Sequence, residues 1–337
     1  MGRVASASRL VAMASFPRPR RLRRSVAMRE LVAETTLRPE QLVLPLFVKE
    51  GLVRPQPIPS MPGVVQHSID SLLGEVDGAL AVGVRTVILF GVTDARDEDG
   101  SLACRADFVL ERAIGALVAH FGEDLTVISD LCLDEYTTHG HCGVLDPAGR
   151  VDNDATLLRY QELALALAAA GVHLVGPSGM MDHQVAAIRE ALDANGYDEV
   201  GILAYSAKYA SALYGPFRDA VEVTIAGGGD RATYQQDPRN RREAAREVEL
   251  DVAEGADLVM VKPASFYLDV LSDVAAMSPV PVLAYQVSGE YSMIEAAAER
   301  GWLDRRRTAL ESLTAIRRAG ADAVLTYYAK EAAAWLR

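Results

Sequence analysis

Eight short apolar runs recur along the chain, separated by polar or helix-patterned sequence. They are 42–48 "LVLPLFV", 84–91 "VRTVILFG", 125–131 "LTVISDL", 172–177 "VHLVGP", 199–206 "EVGILAYS", 257–262 "DLVMVK", 280–287 "VPVLAYQV" and 322–328 "DAVLTYY". Each is apolar almost throughout rather than alternating, as suits parallel strands covered on both faces. Between the runs, apolar residues return at helical spacing. Ile69, Leu72, Leu73, Val76 and Leu80 share one face, and Leu310, Leu313 and Ile316 share another. Asn153 and Asp154 are N-cap candidates for an alanine-rich helix over 155–170. A quasi-repeat marks the joints: "GVRTV" from Gly83, "GVHLV" from Gly171, "GADLV" from Gly255 and "GADAV" from Gly320. Each glycine ends a helical segment and opens a β-branched run, the behaviour of a helix C-cap that needs positive φ. Eight strands alternating with helices predict an α/β fold, a (β/α)8 TIM barrel. An open, doubly wound sheet fits less well, because no G-x-G-x-x-G follows the first strand.

Composition adds boundaries to this picture. The chain has 337 residues, half of them hydrophobic, which fits one large barrel. Three cysteines cannot build a disulfide framework, and two of them sit in one polar motif. That usage points to a reducing cytoplasm. No run approaches the ~18 apolar residues of a membrane span. Charge is uneven: residues 1–30 carry eight arginines and one glutamate, whereas the whole chain has a net charge of −12. The basic block peaks at "RPRRLRR", Arg18 to Arg24. A nucleic-acid arm is one reading. The preferred one is an arm lying on an acidic body, its own or a neighbour's, since such a body repels phosphate. The preceding "MGRVASASRLVAMASF" is too interrupted for a secretory signal and reads as a mobile leader. The expected organisation is an N-terminal leader and arm over 1–35 and a catalytic barrel over 36–337.

Barrel active sites lie at the C-terminal ends of the strands, where this chain collects polar residues. Run 3 ends in Asp130 and continues through Cys132 and Asp134. Run 4 is followed by Ser178 and Asp182, run 5 leads to Lys208, run 6 ends in Lys262, run 7 leads to Ser288, and run 8 reaches Tyr327. A lysine ending "LVMVK" is desolvated, which favours the neutral amine that attacks a ketone. Two such lysines on neighbouring strands converge and depress one another's pKa. The competing reading pairs them with carboxylates such as Asp130 and Asp182. The long segment after Lys208 contains Gly227 to Gly229, Arg218 and Arg231, and suits either a lid whose arginine clamps a substrate carboxylate or a solvated surface loop.

In "DLCLDEYTTHGHCG", residues 130–143, Cys132, Asp134 and Cys142 are spaced as metal ligands with a position left open, against the alternative of two buried cysteines beside a capping aspartate. Thiolates favour zinc and tolerate a carboxylate. "DNDA" at 152–155 lacks the glycine of a calcium loop.

These motifs carry a resemblance. With "ETTL", "MPGV", "EYTTHGHCG", "VDNDATL", "YGPFR", "NRREA", "VMVKPA", "AYQVSGEY" and "RAGAD" in order, the chain resembles the 5-aminolevulinate dehydratase (porphobilinogen synthase) family over nearly its whole length. The resemblance implies a (β/α)8 barrel, an N-terminal arm wrapping a neighbouring subunit, and a homo-octamer. It implies a lyase that condenses two 5-aminolevulinate molecules into porphobilinogen, with loss of two waters, for tetrapyrrole and haem synthesis. It implies no nucleic-acid or membrane partner. By motif position, Lys262 matches the Schiff-base lysine for the first substrate and Lys208 the second lysine. Arg218, Arg231 and Gln235 match lid residues for the second substrate's carboxylate, and Ser288 and Tyr327 match residues for the first one's. Asp130, Ser178 and Asp182 match groups lining the site. Glu247 matches a magnesium (Mg2+) position that favours the octamer. One departure concerns metal. Zinc-type members carry three cysteines where this chain has Cys132, Asp134 and Cys142, and another branch carries aspartates in this region. The hybrid is expected to hold catalytic zinc (Zn2+). A one-lysine aldolase, a metal-sensing or nucleic-acid-binding protein and an inactive paralogue are the competing readings.

Overall fold

The computed structural model describes residues 18–226 and 229–337. The leader expected before Arg18, and Gly227 and Gly228 of the expected lid, lie outside the described residues. The chain divides into two compact units, one ending at Thr36 and the other spanning Leu37–Arg337. In the first, a 3-10 turn at Pro19–Arg23 precedes a short helix, α1 (Val26–Leu31), capped by the Ser25 side chain, which accepts from the Met28 N–H. None of its described residues is buried, so this arm has no core of its own.

The second unit is a closed barrel. Its strands are β1 (Leu42–Lys49), β2 (Gln56–Pro57), β3 (Val65–His67), β4 (Thr86–Val92), β5 (Thr126–Leu131), β6 (Leu174–Pro177), β7 (Gly201–Lys208), β8 (Leu258–Lys262), β9 (Val282–Gln286) and β10 (Ala323–Thr326). All except β2 and β3 form one parallel ring in sequence order, closed by β10 pairing with β1, Leu42 beside Val324. The eight apolar runs are these eight strands, and the predicted TIM barrel is borne out. Outside the ring lie α2 (Ile69–Ala81), α3 (Val109–Phe121), α4 (Asn153–Ala169), α5 (Gln184–Ala194), α6 (Gly215–Val221), α7 (Arg241–Ala253), α8 (Leu268–Met277), α9 (Ser288–Glu299), α10 (Arg305–Arg318) and α11 (Ala329–Trp335). Leu72 and Val76 of α2, and Leu313 and Ile316 of α10, are fully buried, as the helical spacing requires. Gly83, Gly171, Gly255 and Gly320 all have positive φ, between +90° and +116°. A Cβ on Gly320 would also meet the Ala275 Cβ at 2.5 Å.

Two local features differ from the sequence expectation. Helix α4 begins at Asn153 and its cap is Asp152, whose side chain accepts from the Ala155 N–H at 3.1 Å. Asn153 is instead clamped to the backbone of Asp182, which donates to it at 2.8 Å and accepts from it at 3.2 Å. The hairpin of β2 and β3 was not anticipated, because two and three residues are too few for any periodicity. It adds β3 to the C-terminal end of β1, with Phe47 beside Gln66.

Candidate active site

Strands β7 and β8 bring the two lysines together, and a bulge decides how. Their pairing runs Leu203 with Leu258 and Ala204 with Val259, then slips by one residue to pair Ala207 with Val261 and Lys208 with Lys262. Without the extra residue on β7, Lys208 would stand beside Pro263. A bulge re-aims the side chains beyond it, and here it sets both lysines on the same side of the ring. Both are buried, at 4% and 5% exposure.

Their surroundings differ. The Lys262 Nζ sits among four aromatic rings, 4.5 Å from the centroid of Tyr285, 5.0 Å from Tyr205, 5.2 Å from Phe217 and 5.4 Å from Tyr214. Burial, reinforced by the neighbouring Lys208 cation, pushes its pKa down to about 7, against the pull of Asp130 and Asp134. Much of Lys262 is therefore a free amine at neutral pH. Lys208 donates to the Ser178 carbonyl, and neither lysine forms an ion pair among the described residues. Burial raises the Asp130 carboxyl to about 6 even though both lysines oppose the shift. Its Oδ2 accepts from the Ser178 hydroxyl at 3.3 Å.

The same cavity is lined by Phe90, Asp134, Glu135, Arg218 and Arg231. Its free volume is about 20 Å³, room for about one water. The closure comes from the connection after β7. Arg231 reaches inward, and its Nη2 donates to Asp134 Oδ2 at 2.7 Å and to the Gly140 carbonyl at 2.9 Å. Both partners of this ion pair are buried, at 8% and 5% side-chain exposure. Burial alone would raise the Asp134 pKa, but Arg231 and then Lys208 hold it well below the usual carboxylate range. Among the described residues the buried Arg231 Nε has no hydrogen-bond partner. Arg218 is half-buried, its pKa lowered by burial and by Arg231.

The cysteine motif forms a compact donor set. Cys132 Sγ, one Asp134 oxygen and Cys142 Sγ lie within 4.8 Å of one another, all buried. Burial and contact with Cys142 push the Cys132 thiol up, whereas the Cys132 hydrogen bond and Arg231 bring Cys142 down despite its burial. Two sulfurs and a carboxylate suit zinc. The two histidines of the motif do not join this set. His139 Nε2 meets the Glu98 carbonyl at 3.0 Å and His141 Nδ1 meets the Tyr234 hydroxyl at 3.1 Å. They tie down the loop.

Other expected site residues lie elsewhere. Asp182 is exposed. With Gln235, Glu243 and Glu247 it lines a separate, open cavity of about 720 Å³, so it does not pair with the lysines as one reading had it. Burial raises the Glu247 pKa, and repulsion from Asp182 and Glu243 adds to that. Gln235 is 4% exposed, and its Nε2 has no hydrogen-bond partner among the described residues. Ser288, the first residue of α9, accepts from the Phe217 N–H at 2.9 Å. The Tyr327 hydroxyl lies 2.9 Å from that of Tyr285. Sequence reasoning missed the aromatic walls around Lys262 and the carboxyl of Glu135. "AYSAKY" and "AYQVSGEY" do carry Tyr205 and Tyr285, but no local pattern says that those rings face a lysine.

A family model described as delta-aminolevulinic acid dehydratase matches residues 16–335. A delta-aminolevulinic acid dehydratase of Mycobacterium tuberculosis (strain CDC 1551 / Oshkosh) is 60% identical over 330 residues, 97% of this chain and 100% of that protein. One of Streptomyces coelicolor is 58% identical over 327 residues, 96% and 98% of the two chains. A crystal structure of delta-aminolevulinic acid dehydratase (porphobilinogen synthase) from Toxoplasma gondii, in complex with the reaction product porphobilinogen, matches with a TM-score of 0.93 at 48% identity, covering 95% of this chain and 91% of that one.

Proposed function

The chain belongs to the delta-aminolevulinic acid dehydratase family, and from that premise we propose how its own residues carry the reaction. The enzyme is a lyase of porphyrin biosynthesis that joins two 5-aminolevulinate molecules into porphobilinogen with loss of two waters. Lys262 attacks the ketone of one substrate. Its nitrogen bonds to the carbonyl carbon, the carbonyl oxygen leaves as water, and a Schiff base remains. Lys208 does the same for the other substrate. The observation that carries this reading is the pairing of two buried lysines side by side, one with its pKa at about 7. Aromatic walls keep water from the imine, and holding both substrates in attack geometry can supply up to ~7–11 kcal/mol.

The substrate carboxylates need donors. Arg218, Arg231 and Gln235 hold the second, and the unpartnered Arg231 Nε and Gln235 Nε2 support that assignment. Ser288 and Tyr327 hold the first, and Asp130 and Ser178 complete the polar lining, while Asp182 stands in the outer cavity. A cavity of about 20 Å³ cannot admit 5-aminolevulinate, so the segment bearing Arg231 acts as a lid that opens for entry. Cys132, Asp134 and Cys142 would hold zinc, which supplies a Lewis acid for a substrate carbonyl when bound. Glu247 would hold magnesium in the outer cavity, where crowded carboxylates favour a hard cation. The assembly is a homo-octamer in the cytoplasm. Among the described residues, no helix is long and apolar enough to cross a membrane.

Borohydride reduction in the presence of 5-aminolevulinate, followed by peptide mapping, tests the amine assignment. A stable adduct on Lys262 is expected, alongside colorimetric detection of porphobilinogen. Product formation with neither lysine labelled would sink the two-amine reading. Sedimentation with and without magnesium tests the octamer.

A further inference from the structure

Glu135 has no part in the scheme above, yet it is 2% exposed and faces the same cavity as the lysines. Its position is held from outside. Arg96 Nε donates to the Glu135 carbonyl at 3.1 Å, while Arg96 Nη2 donates to the Glu222 carbonyl at 2.7 Å. One oxygen of Glu135, one of Asp130 and the Cys132 sulfur lie within 4.8 Å of one another. This donor set shares only Cys132 with the set of Cys132, Asp134 and Cys142. A second, independent observation points to the same place. Asp130 is 7% exposed, and although the Tyr205 hydroxyl lies close enough to act on its carboxyl, its Oδ1 is buried with no hydrogen-bond partner among the described residues. A buried carboxylate oxygen left without a donor is costly, because no water replaces the missing bond. Among the described residues no cationic side chain hydrogen-bonds to it: Arg231 is committed to Asp134, Lys208 donates to Ser178, and Lys262 acts on Asp130 through its charge alone.

We propose that Asp130, Cys132 and Glu135 form a second divalent-cation position, adjoining the zinc set and sharing its Cys132 thiolate. Two carboxylates and one thiolate make a harder site than two thiolates and one carboxylate, and they select a borderline ion such as Co2+ or Zn2+ over Mg2+. The two positions differ in their relation to the substrates. Two of the new position's three residues, Asp130 and Glu135, line the lysine cavity, whereas of the zinc set only Asp134 does. An ion held at the new position therefore has most of its ligands on the wall that the substrates meet. This goes beyond the zinc assignment and can fail or stand independently of it.

Cobalt titration separates the two. In a Cys104→Ser background only Cys132 and Cys142 can give a cobalt–thiolate charge-transfer band. Full-length protein with Cys142→Ala is expected to keep a weaker band at saturating Co2+. Adding Glu135→Gln should abolish it or weaken cobalt affinity by at least ~10-fold, and Glu135→Asp should restore it. Retention of folding is checked by urea denaturation, so that loss of the band is not mistaken for loss of structure. The proposal is overturned if Glu135→Gln leaves the Cys142→Ala band and affinity unchanged, or if Cys142→Ala alone shows no band. A Cys142→Ala spectrum equal to wild type would instead remove Cys142 from the zinc set and leave the new position standing.

Discussion

Two arginine–aspartate pairs involve the same connection between β7 and α7, and they have little else in common. Arg231 pairs with Asp134 at 8% and 5% side-chain exposure, whereas Arg239 pairs with Asp237 at 86% and 34%. Both carboxyls are pulled down. Asp237 falls to about 2 through its hydrogen bonds from Arg239. Asp134 is also held well below the usual carboxylate range, although burial opposes it. A low pKa alone therefore does not rank them. Exposed pairs are screened and entropically costly to hold, whereas a buried charge stripped of its partner has no water to replace it. The connection carries its costly pair where it covers the lysines and its weak pair where it faces solvent.

The largest effect should come from the buried Lys262 amine, which belongs to neither pair. Lys262→Met is expected to lower porphobilinogen formation on the order of 10³-fold or more, the scale of losing a nucleophile, without lowering the urea midpoint, because Lys262 has no ion-pair partner to strand. A lowered midpoint would make Lys262 structural.

Next, Arg231→Met should destabilise by ~3–5 kcal/mol, because it leaves Asp134 charged and buried. The double variant with Asp134→Asn should recover a large part of that loss, as read from urea denaturation. Additive single effects would break the contrast between the two pairs.

The pH dependence sharpens it further. Lys262 titrates near 7, and the neutral amine predominates above that value. Borohydride trapping should accelerate as pH rises through about 7 and then level. Removing the neighbouring charge with Lys208→Met raises the Lys262 pKa and moves the rise to higher pH. An unmoved profile would mean that Lys208 is not a source of the depression.

An intermediate case lies between the two pairs. Lys49 and Glu222 meet at 2.6 Å with side-chain exposures of 14% and 34%. Lys49→Met should cost about 1 kcal/mol. At the exposed end, Arg239→Ala should leave the urea midpoint and the activity unchanged.

Much of this arrangement was legible in the chain. The eight strand runs announced themselves because a barrel strand is buried on both faces and so is apolar at every position. The glycine joints were legible because positive φ narrows the choice of residue. Lys208 and Lys262 stood out as charges at the ends of apolar runs. Asp182 misled for the opposite reason: it follows β6 as Ser178 does, but the Asn153 clamp holds its backbone at the outer cavity. The cap of α4 shifted because Asn153 serves that clamp and Asp152 caps in its place.

By itself the sequence determined the fold class, the element order and the residue types available at the mouth of the barrel, since those follow from local burial patterns and turn chemistry. Tertiary structure alone decided which of them meet. A one-residue bulge in β7 sets Lys208 beside Lys262 rather than Pro263. Chain folding over a separation of 97 residues joins Arg231 to Asp134. Register and charge pairing depend on contacts between segments far apart in the chain, and no local pattern of hydrophobic and polar positions encodes them.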